Sequence, residues 1–330
     1  MRAPSRRAAV TPEHTPCVWS MIFLVFAVAS SVTIGMIFKH ASRQQLDRTA
    51  LLTVNYAAAV AVAVGLLAVG GREIDQGLAL SGTLVALGAG TGAVLIAGFF
   101  VLAWATEVAG MSLAIGVMRV SVVVPFLASW GVWGEVPSPA QGVGMVLAMG
   151  AFFLLAHQRS APDPVPAGGG ATTEPTAPSR SPVWSHVDWL AAGVLALTFC
   201  AGGAIDVLMK TFEEGFGAEN SRVLFLLLAF GVAFLVGAVI VVRRGLRDGA
   251  WPTLQTVGWG VLLGLANYAS LEFLLRAIEG LPGTFVFPAN NIAIMVLAAL
   301  LGVVVWGERL SRSNRIGLGL GCVALVLLGL

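Results

Sequence analysis

Charged residues are scarce in this sequence, and their scarcity excludes most classes of soluble protein. Lysine, arginine, aspartate and glutamate make up 11% of the 330 residues, whereas hydrophobic residues make up 57%. A soluble domain carries about 25% charged residues. The formal net charge is only +2, so we expect no basic surface and no nucleic-acid partner.

Cysteine and histidine are also few. Cys17, Cys200 and Cys322 are odd in number and far apart, which is unlike a disulfide framework or a zinc site. The four histidines fall in predicted tails, loops or helix ends. Gly-x-Ser-x-Gly, His-Glu-x-x-His and Walker motifs are lacking, so hydrolase, protease and ATPase chemistry has no support. The sequence therefore predicts a protein that is not an enzyme and that uses no metal or cofactor.

Long apolar runs are abundant instead. Each has roughly 20 residues, enough to cross about 30 Å of hydrocarbon. We predict an all-α polytopic protein of the cytoplasmic membrane, with ten transmembrane helices. The first half supplies Val18–Phe38, Ala50–Val69, Leu84–Trp104, Met111–Trp133 and Ser138–Ala156. The second half supplies Trp189–Met209, Val223–Val242, Leu254–Leu274, Thr284–Val305 and Ser311–Leu330.

These spans divide the chain into four parts. Residues 1–17 form a basic tail, residues 18–157 a first five-helix unit, and residues 187–330 a second. Residues 158–186 are rich in proline, alanine, glycine and threonine, which predicts a flexible linker. Ala27-Val28-Ala29 resembles a signal-peptide cleavage site, but the apolar run continues to Phe38, which favours an uncleaved first helix.

A short motif occurs once in each half, between the fourth and fifth spans. Trp133-Gly134-Glu135 is followed by Ser138, Gln141 and Gly144; Trp306-Gly307-Glu308 is followed by Ser311, Asn314 and Gly317. Every member of the second set lies 173 positions after its counterpart. Each serine would cap the next helix, with the glutamine or asparagine completing a capping box. Each glutamate would lie near a positive helix terminus.

The recurrence indicates an internal duplication. A unit with an odd number of spans enters the membrane upside down in its second copy. We therefore predict two inverted five-helix repeats, which would enclose a site near the bilayer midplane.

The pattern Gly-Glu-x-x-Ser-x-x-Gln/Asn-x-x-Gly, present in both halves, resembles the drug/metabolite transporter superfamily in its ten-helix form with two EamA-type repeats. Arg119–Pro125, Asn267-Tyr268 and Phe287–Asn291 resemble an uncharacterised branch of it. The resemblance implies a transporter with both termini in the cytoplasm, and we adopt that orientation. The lysine and arginine count, seven on the N-terminal side against eleven on the other, mildly favours the reverse. The superfamily moves drugs, amino acids, nucleotide sugars and sugar phosphates, so no substrate is implied.

Arg119 lies near the middle of the fourth span, where an arginine costs about 2.5 to 3.5 kcal/mol on insertion scales. One interpretation is a structural ion pair with Glu272 or Asp206. The other is a cation that binds a carboxylate, a phosphate or sugar hydroxyls of a substrate. The two can coexist if the substrate displaces the acid.

Polar residues of the eighth and ninth spans complete the predicted site. Asn290 and Asn291 follow Pro288, which frees backbone carbonyls, and their amides suit a ligand or neighbouring helices. Glu272 can also pair with Arg276, one turn further on. The predicted substrate-binding residues are Arg119, Asn267, Tyr268, Glu272, Asn290 and Asn291.

Lys39 and Lys210 close the first helix of each half, and snorkelling to the interface is the favoured interpretation of both. Asp206, one turn before Lys210, is its expected partner. Small residues on the fifth and tenth spans allow close packing, either within one chain or in a homodimer. They are Ala140, Gly144, Ala148, Gly317 and Gly321.

The functional hypothesis is a secondary transporter that moves a small polar metabolite by alternating access, with a proton or a counter-substrate as its coupling partner. A multidrug or cation exporter of the same superfamily is the first alternative. The first span has no glutamate, which weakens that alternative, but Asp206 in the sixth keeps it open. A non-transporting membrane subunit is the second alternative.

Overall fold

The computed structural model describes residues 15–69, 81–156, 189–307 and 310–330, and every regular element within these ranges is an α-helix. The predicted linker, Glu308 and the tail up to residue 14 lie outside them. Residues 15–17, predicted to belong to the tail, begin the first helix instead. The helices are α1 (Thr15–Arg43), α2 (Arg48–Val69), α3 (Gly82–Val108), α4 (Met111–Val120), α5 (Val123–Gly131), α6 (Pro139–Ala156), α7 (Trp189–Phe216), α8 (Arg222–Asp248), α9 (Leu254–Gly280), α10 (Gly283–Trp306) and α11 (Arg312–Leu328).

Eight segments of the described residues have the length and hydropathy needed to cross a membrane. They correspond to α1, α2, α3, α4 with α5, α7, α8, α9 and α10. Pro139–Leu155 is a shorter apolar helix. Large apolar side chains such as Phe26, Leu235 and Val304 are exposed on the outside of the bundle, as a lipid-facing surface requires. The described part of the chain is therefore all-helical, and the protein is a multi-pass membrane protein.

The fourth predicted span, Met111–Trp133, is not one continuous helix. It breaks at Ser121 and Val122, between α4 and α5. Pro125 supplies the physical reason, because a proline ring inside a helix clashes with the carbonyl of the residue four positions earlier, here Ser121. The break lies against α7, where added β-carbons at Gly202 and Gly203 would crowd the Ser121 hydroxyl and the Val124 side chain.

The two halves of the chain interleave. The most extensive helix contacts each join a helix of the first half, α1 to α6, with one of the second, α7 to α11. α9 of the second half packs on α1 and α2 of the first half. In the same way, α3 of the first half packs on α7 and α8 of the second. α2 also packs on α8, and α6 packs on α11. The core of the molecule is thus formed between the halves.

Glycines let these helices approach closely, at positions that the sequence analysis did not single out. Gly92 of α3 lies directly against the carbonyl of Ala229, and Gly264 of α9 lies directly against that of Asn55. A β-carbon at either glycine would collide with the carbonyl oxygen. The fifth and tenth spans also pack closely within the chain, since a β-carbon at Gly144 would meet Leu328 of α11 and one at Gly317 would meet Leu155 of α6.

Candidate functional site

The two ends of the bundle can be told apart by their contacts. At one end, called the Glu135 end, the corner after α5 meets the end of α7 and the start of α10, because Glu135 contacts Lys210 and Thr284. At the other, called the Asp47 end, the start of α2 meets the end of α8, because Asp47 lies 3.7 Å from Arg244.

A cavity of about 210 Å³ lies between helices of both halves, in the part of the bundle nearer the Asp47 end. Liquid water occupies about 30 Å³ per molecule, so the cavity has the volume of about seven waters. Its wall is largely apolar and includes Ile34, Phe38, Leu95, Phe99, Met118 and Ile205. Four lining residues carry polar groups: Asn55, Tyr56, Thr198 and Asn267.

An amide pair joins the two halves at this cavity. Asn267 of α9 donates its Nδ2 hydrogen to Oδ1 of Asn55 in α2, at 3.2 Å. Asn55 is only 1% exposed, and its own Nδ2 has no hydrogen-bond acceptor among the residues that the structure describes. Of the predicted site residues, Asn267 is the one that lines this cavity. Asn55 was missed, although the shared Asn-Tyr dipeptide of the second and eighth spans was a usable signal.

Tyr268, the neighbour of Asn267, does not line the cavity. Its ring and that of Tyr56 lie on Phe230 of α8, with centroids 6.1 and 6.2 Å away respectively. Both tyrosines are buried. The structure therefore makes Tyr268 a core residue rather than a cavity residue.

Arg119 contacts a different predicted residue, Asn291. Its Nη1 donates to Oδ1 of Asn291 at 3.1 Å, and Asn291 Nδ2 donates to the carbonyl of Phe287. Arg119 also attracts Asp206 of α7 electrostatically, without a direct salt bridge among the described residues. Met118 and Ile205, which precede Arg119 and Asp206 in the chain, line the cavity, whereas the two charged residues do not.

Asn290 is buried, and its Oδ1 has no hydrogen-bond partner within the described ranges. Glu272 is held elsewhere: its Oε1 accepts from Nε of Arg276 at 2.7 Å, one helical turn away. The alternative pairing of Glu272 with Arg119 is therefore wrong. The six predicted residues form separate groups, and of these only Asn267 lines the cavity.

Lys210 corrects two further predictions. It does not snorkel, since it is 1% exposed, and its partner is not Asp206. Its Nζ lies 2.6 Å from Oε1 of Glu135 and 2.8 Å from Oε1 of Glu214. Asp206 interacts electrostatically with Arg119 instead. Glu135, which is distant in the sequence, is the carboxylate that pairs with Lys210.

Glu135 lies at a positive helix terminus, as predicted, but the helix is a distant one. Its Oε2 accepts from the backbone N–H of Thr284 at 3.2 Å, in the first turn of α10. One carboxylate thus neutralises a buried lysine and caps a helix from the other half.

The capping box at the first corner is confirmed. Ser138 Oγ accepts from the N–H of Gln141, and Gln141 Oε1 accepts from the N–H of Ser138, both at 3.1 Å. At the second corner Ser311 accepts from the N–H of Asn314 at 3.1 Å. Asn314 Oδ1 has no partner among the described residues, so only half of that box is present.

Comparisons with known proteins bear on the fold and leave the activity open. No family model matches the chain. An uncharacterised protein of Haemophilus influenzae is 26% identical over 303 residues, which cover 89% of this chain and 93% of that protein. A protein of known crystal structure is 16% identical, with a TM-score of 0.66 and 96% of each chain covered. The chain is therefore similar, along most of its length, to an uncharacterised bacterial protein, and it shares its fold with a protein of solved structure.

Proposed function

We propose that the protein is a secondary active transporter of the drug/metabolite transporter superfamily, which moves a small polar metabolite across the cytoplasmic membrane by alternating access. The observation that carries the proposal is the cavity between the two halves, with a buried ion-pair layer at the Glu135 end of the bundle. A solute could enter from the Asp47 side while that layer keeps the other end closed.

The pairing of helices supports two inverted repeats. The packing of α3 on α8 is matched by that of α9 on α2, with the halves exchanged. Gly92 of the first half meets Ala229 of the second, and Gly264 of the second half meets Asn55 of the first. Gly264 lies 172 positions after Gly92, and Ala229 lies 174 positions after Asn55. A two-fold axis relating the repeats requires this reciprocity.

The packing of α6 on α11 supports the same symmetry. A β-carbon at Gly144 would meet Leu328, and one at Gly317 would meet Leu155. Gly317 follows Gly144 by 173 positions, and Leu328 follows Leu155 by the same number. The offset equals that of the corner motif, so the sequence repeat and the contacts agree.

Alternating access would then require the Glu135 end to open. Lys210 would leave Glu135, and Glu135 would leave the first turn of α10. Breaking a buried ion pair is costly when one charge stays buried, but both partners would enter water together in an open state. Rocking one repeat against the other provides such a movement.

The amides of the cavity wall, together with Arg119, which follows the lining residue Met118 in the chain, suit recognition of a polar solute. An arginine has five N–H donors, and Asn291 takes one of those of Arg119. The remaining donors could bind a carboxylate, a phosphate or hydroxyls. Asn55 and Asn267 would contact another part of the same molecule, and the apolar wall would cover its carbon atoms.

The test uses purified full-length protein. A panel of metabolites is screened for thermal stabilisation, and each hit is tested for exchange across proteoliposomes. We expect a polar hit that exchanges in wild type and loses its stabilising effect in Arg119→Met. Binding without exchange would favour a non-transporting subunit.

Asp206 favours the multidrug or cation exporter as the second candidate function. It is a carboxylate within a span, and it makes no direct salt bridge among the described residues. Hits confined to organic cations that bind Arg119→Met but not Asp206→Asn would establish this alternative.

A further inference from the structure

The Asp47 end of the bundle carries a group of exposed arginines. Arg43 ends α1 and Arg48 begins α2, so the two flank the short connection between these helices. Arg243 and Arg247 lie one turn apart near the end of α8, and both are exposed. α2 packs on α8, so the four side chains extend from neighbouring helix ends. They are called the arginine cluster below.

Asp47 lies between the two parts of the arginine cluster, but its own charge is already used. Its Oδ1 accepts from the backbone N–H of Thr49 at 2.8 Å and of Ala50 at 3.2 Å, which caps α2. Its Oδ2 lies 3.7 Å from Nη1 of Arg244. The four arginines of the cluster make no salt bridge with any described residue. Asp248 is the other described acid at these helix ends, so an excess of positive charge remains.

The opposite end of the bundle is different. There the described basic residues Lys210, Arg222 and Arg276 each form an ion pair with a glutamate. The small net charge led us to expect no basic surface, and this expectation is wrong for the Asp47 end. The physical reason is that a sum over the chain does not show how charges are distributed. Unpaired cations lie at one end, and carboxylates neutralise those at the other.

Large apolar side chains lie next to the arginine cluster. Leu246 of α8 and Leu254 of α9 are 77% and 88% exposed. Trp251, between these helices, is 56% exposed, and its ring lies directly against Gly245. In a membrane protein such exposed apolar side chains contact lipid, and tryptophan is enriched at the level of the lipid headgroups. The arginine cluster therefore lies at the membrane surface, beside a surface suited to acyl chains.

We propose that Arg43, Arg48, Arg243 and Arg247 bind the headgroup of an anionic phospholipid in the leaflet at the Asp47 end. A guanidinium group donates two parallel hydrogen bonds to phosphate oxygens. The lipid brings the negative charge that these helix ends lack, and its acyl chains cover the apolar surface beside Trp251. Because the headgroup contacts both α2 and α8, it stabilises their packing. The proposal does not depend on the transport function.

The test uses purified full-length protein in a neutral detergent, titrated with phosphatidylglycerol or with phosphatidylcholine. We expect phosphatidylglycerol to raise the melting temperature, because a ligand that binds the folded state stabilises it. Phosphatidylcholine should have little effect, and an equal shift with both lipids would overturn the proposal. Arg243→Gln with Arg247→Gln should weaken binding of phosphatidylglycerol about 30-fold, or about 2 kcal/mol for two arginines near an anionic headgroup.

Arg312→Gln with Arg315→Gln is the matched control. Both arginines are exposed at the same end, in the first turns of α11, which packs on α6 and α10. The control removes the same charge outside the arginine cluster and should leave the affinity within about twofold of wild type. Each titration is compared with the melting temperature of the same variant without lipid, so an effect on folding does not enter. Equal losses in the two double variants would indicate diffuse attraction and would overturn the site.

Glycerol phosphate distinguishes a lipid from a soluble anion. It carries the phosphate of the headgroup but has no acyl chain, so we expect no comparable shift at the same concentration. An equal shift that is lost in Arg243→Gln with Arg247→Gln would identify a site for soluble anions. That result would overturn the assignment to a phospholipid.

Discussion

Lys210 and Glu135 are 75 positions apart in the chain, yet Nζ of the lysine lies 2.6 Å from Oε1 of the glutamate. The glutamate belongs to the corner after α5, and the lysine lies in the last turns of α7. Through its other oxygen Glu135 also holds the start of α10. A motif that the sequence repeats therefore joins the two halves at one end of the bundle.

The first prediction concerns this joint. Glu135→Gln leaves a buried lysine with Glu214 as its remaining ion-pair partner among the described residues, so we expect a loss of about 3 kcal/mol of stability. Ser138→Ala, in the same corner, removes only a helix cap and should cost about 1 kcal/mol. Thermal melts of the purified variants compare the two. Equal melting temperatures would show that the ion pair contributes nothing beyond helix-end electrostatics.

The second prediction separates binding from folding at Arg119. Arg119→Lys keeps the charge but loses the planar fork, so ligand affinity should fall about tenfold, or 1.4 kcal/mol. Arg119→Met should abolish ligand stabilisation while the ligand-free protein melts near wild type, since Arg119 makes no direct salt bridge with any described residue. Ligand-free and ligand-bound melts provide the measurement. Unfolding of ligand-free Arg119→Met would instead identify a structural charge pair with Asp206.

The third prediction concerns the amide pair of the cavity. Asn267→Ala removes the donor to Asn55 and leaves a buried amide unpaired, so it should cost about 1 to 2 kcal/mol and weaken ligand binding. Asn220→Ala is the control, because Asn220 is also buried but donates to Phe216 outside the cavity. The readout is the ligand-induced shift in melting temperature. A shift preserved in Asn267→Ala would remove the amide pair from the site.

The fourth prediction tests the reciprocal glycine contacts. Gly92→Ala and Gly264→Ala each place a methyl group against a carbonyl oxygen of the other half, so each should cost about 1 to 3 kcal/mol. Gly90→Ala and Gly258→Ala are matched controls with open space around the new methyl group. There the better helix propensity of alanine should be neutral or stabilising, by up to about 1 kcal/mol. Tolerance at Gly92 alone would argue against equivalent contacts.

The fifth prediction concerns topology. A single cysteine at Gln44, between α1 and α2, and another in the sequence-predicted linker should react with an impermeant reagent from the same side of the membrane. Four predicted spans separate the two positions, so an even number of crossings lies between them. Labelling from opposite sides would exclude the five-plus-five arrangement.

The sequence by itself determined the features that depend on local chemistry. Hydropathy and run length identified the membrane class and located the helix starts to within three residues, because insertion into a bilayer responds to short segments. Four helices, α1, α7, α8 and α9, continue five to seven residues beyond their predicted ends. The spacing from Ser138 to Gln141 was sufficient to predict a capping box, since the bonds form within one helical turn. The break in the fourth span also has a local cause, Pro125, which was visible in the sequence and not used.

Only the tertiary structure decided which polar groups meet. Lys210 has acids one turn before and one turn after it, Asp206 and Glu214, and helical spacing cannot rank them against Glu135, 75 positions away. For the same reason, helical spacing could not show that Glu272 does not pair with Arg119, or that Asn267 pairs with Asn55. A charged or amide side chain inside a membrane can pair with any group of suitable chemistry. Which partner it finds is set by the close packing of helices from opposite halves, and that packing is a property of the whole fold.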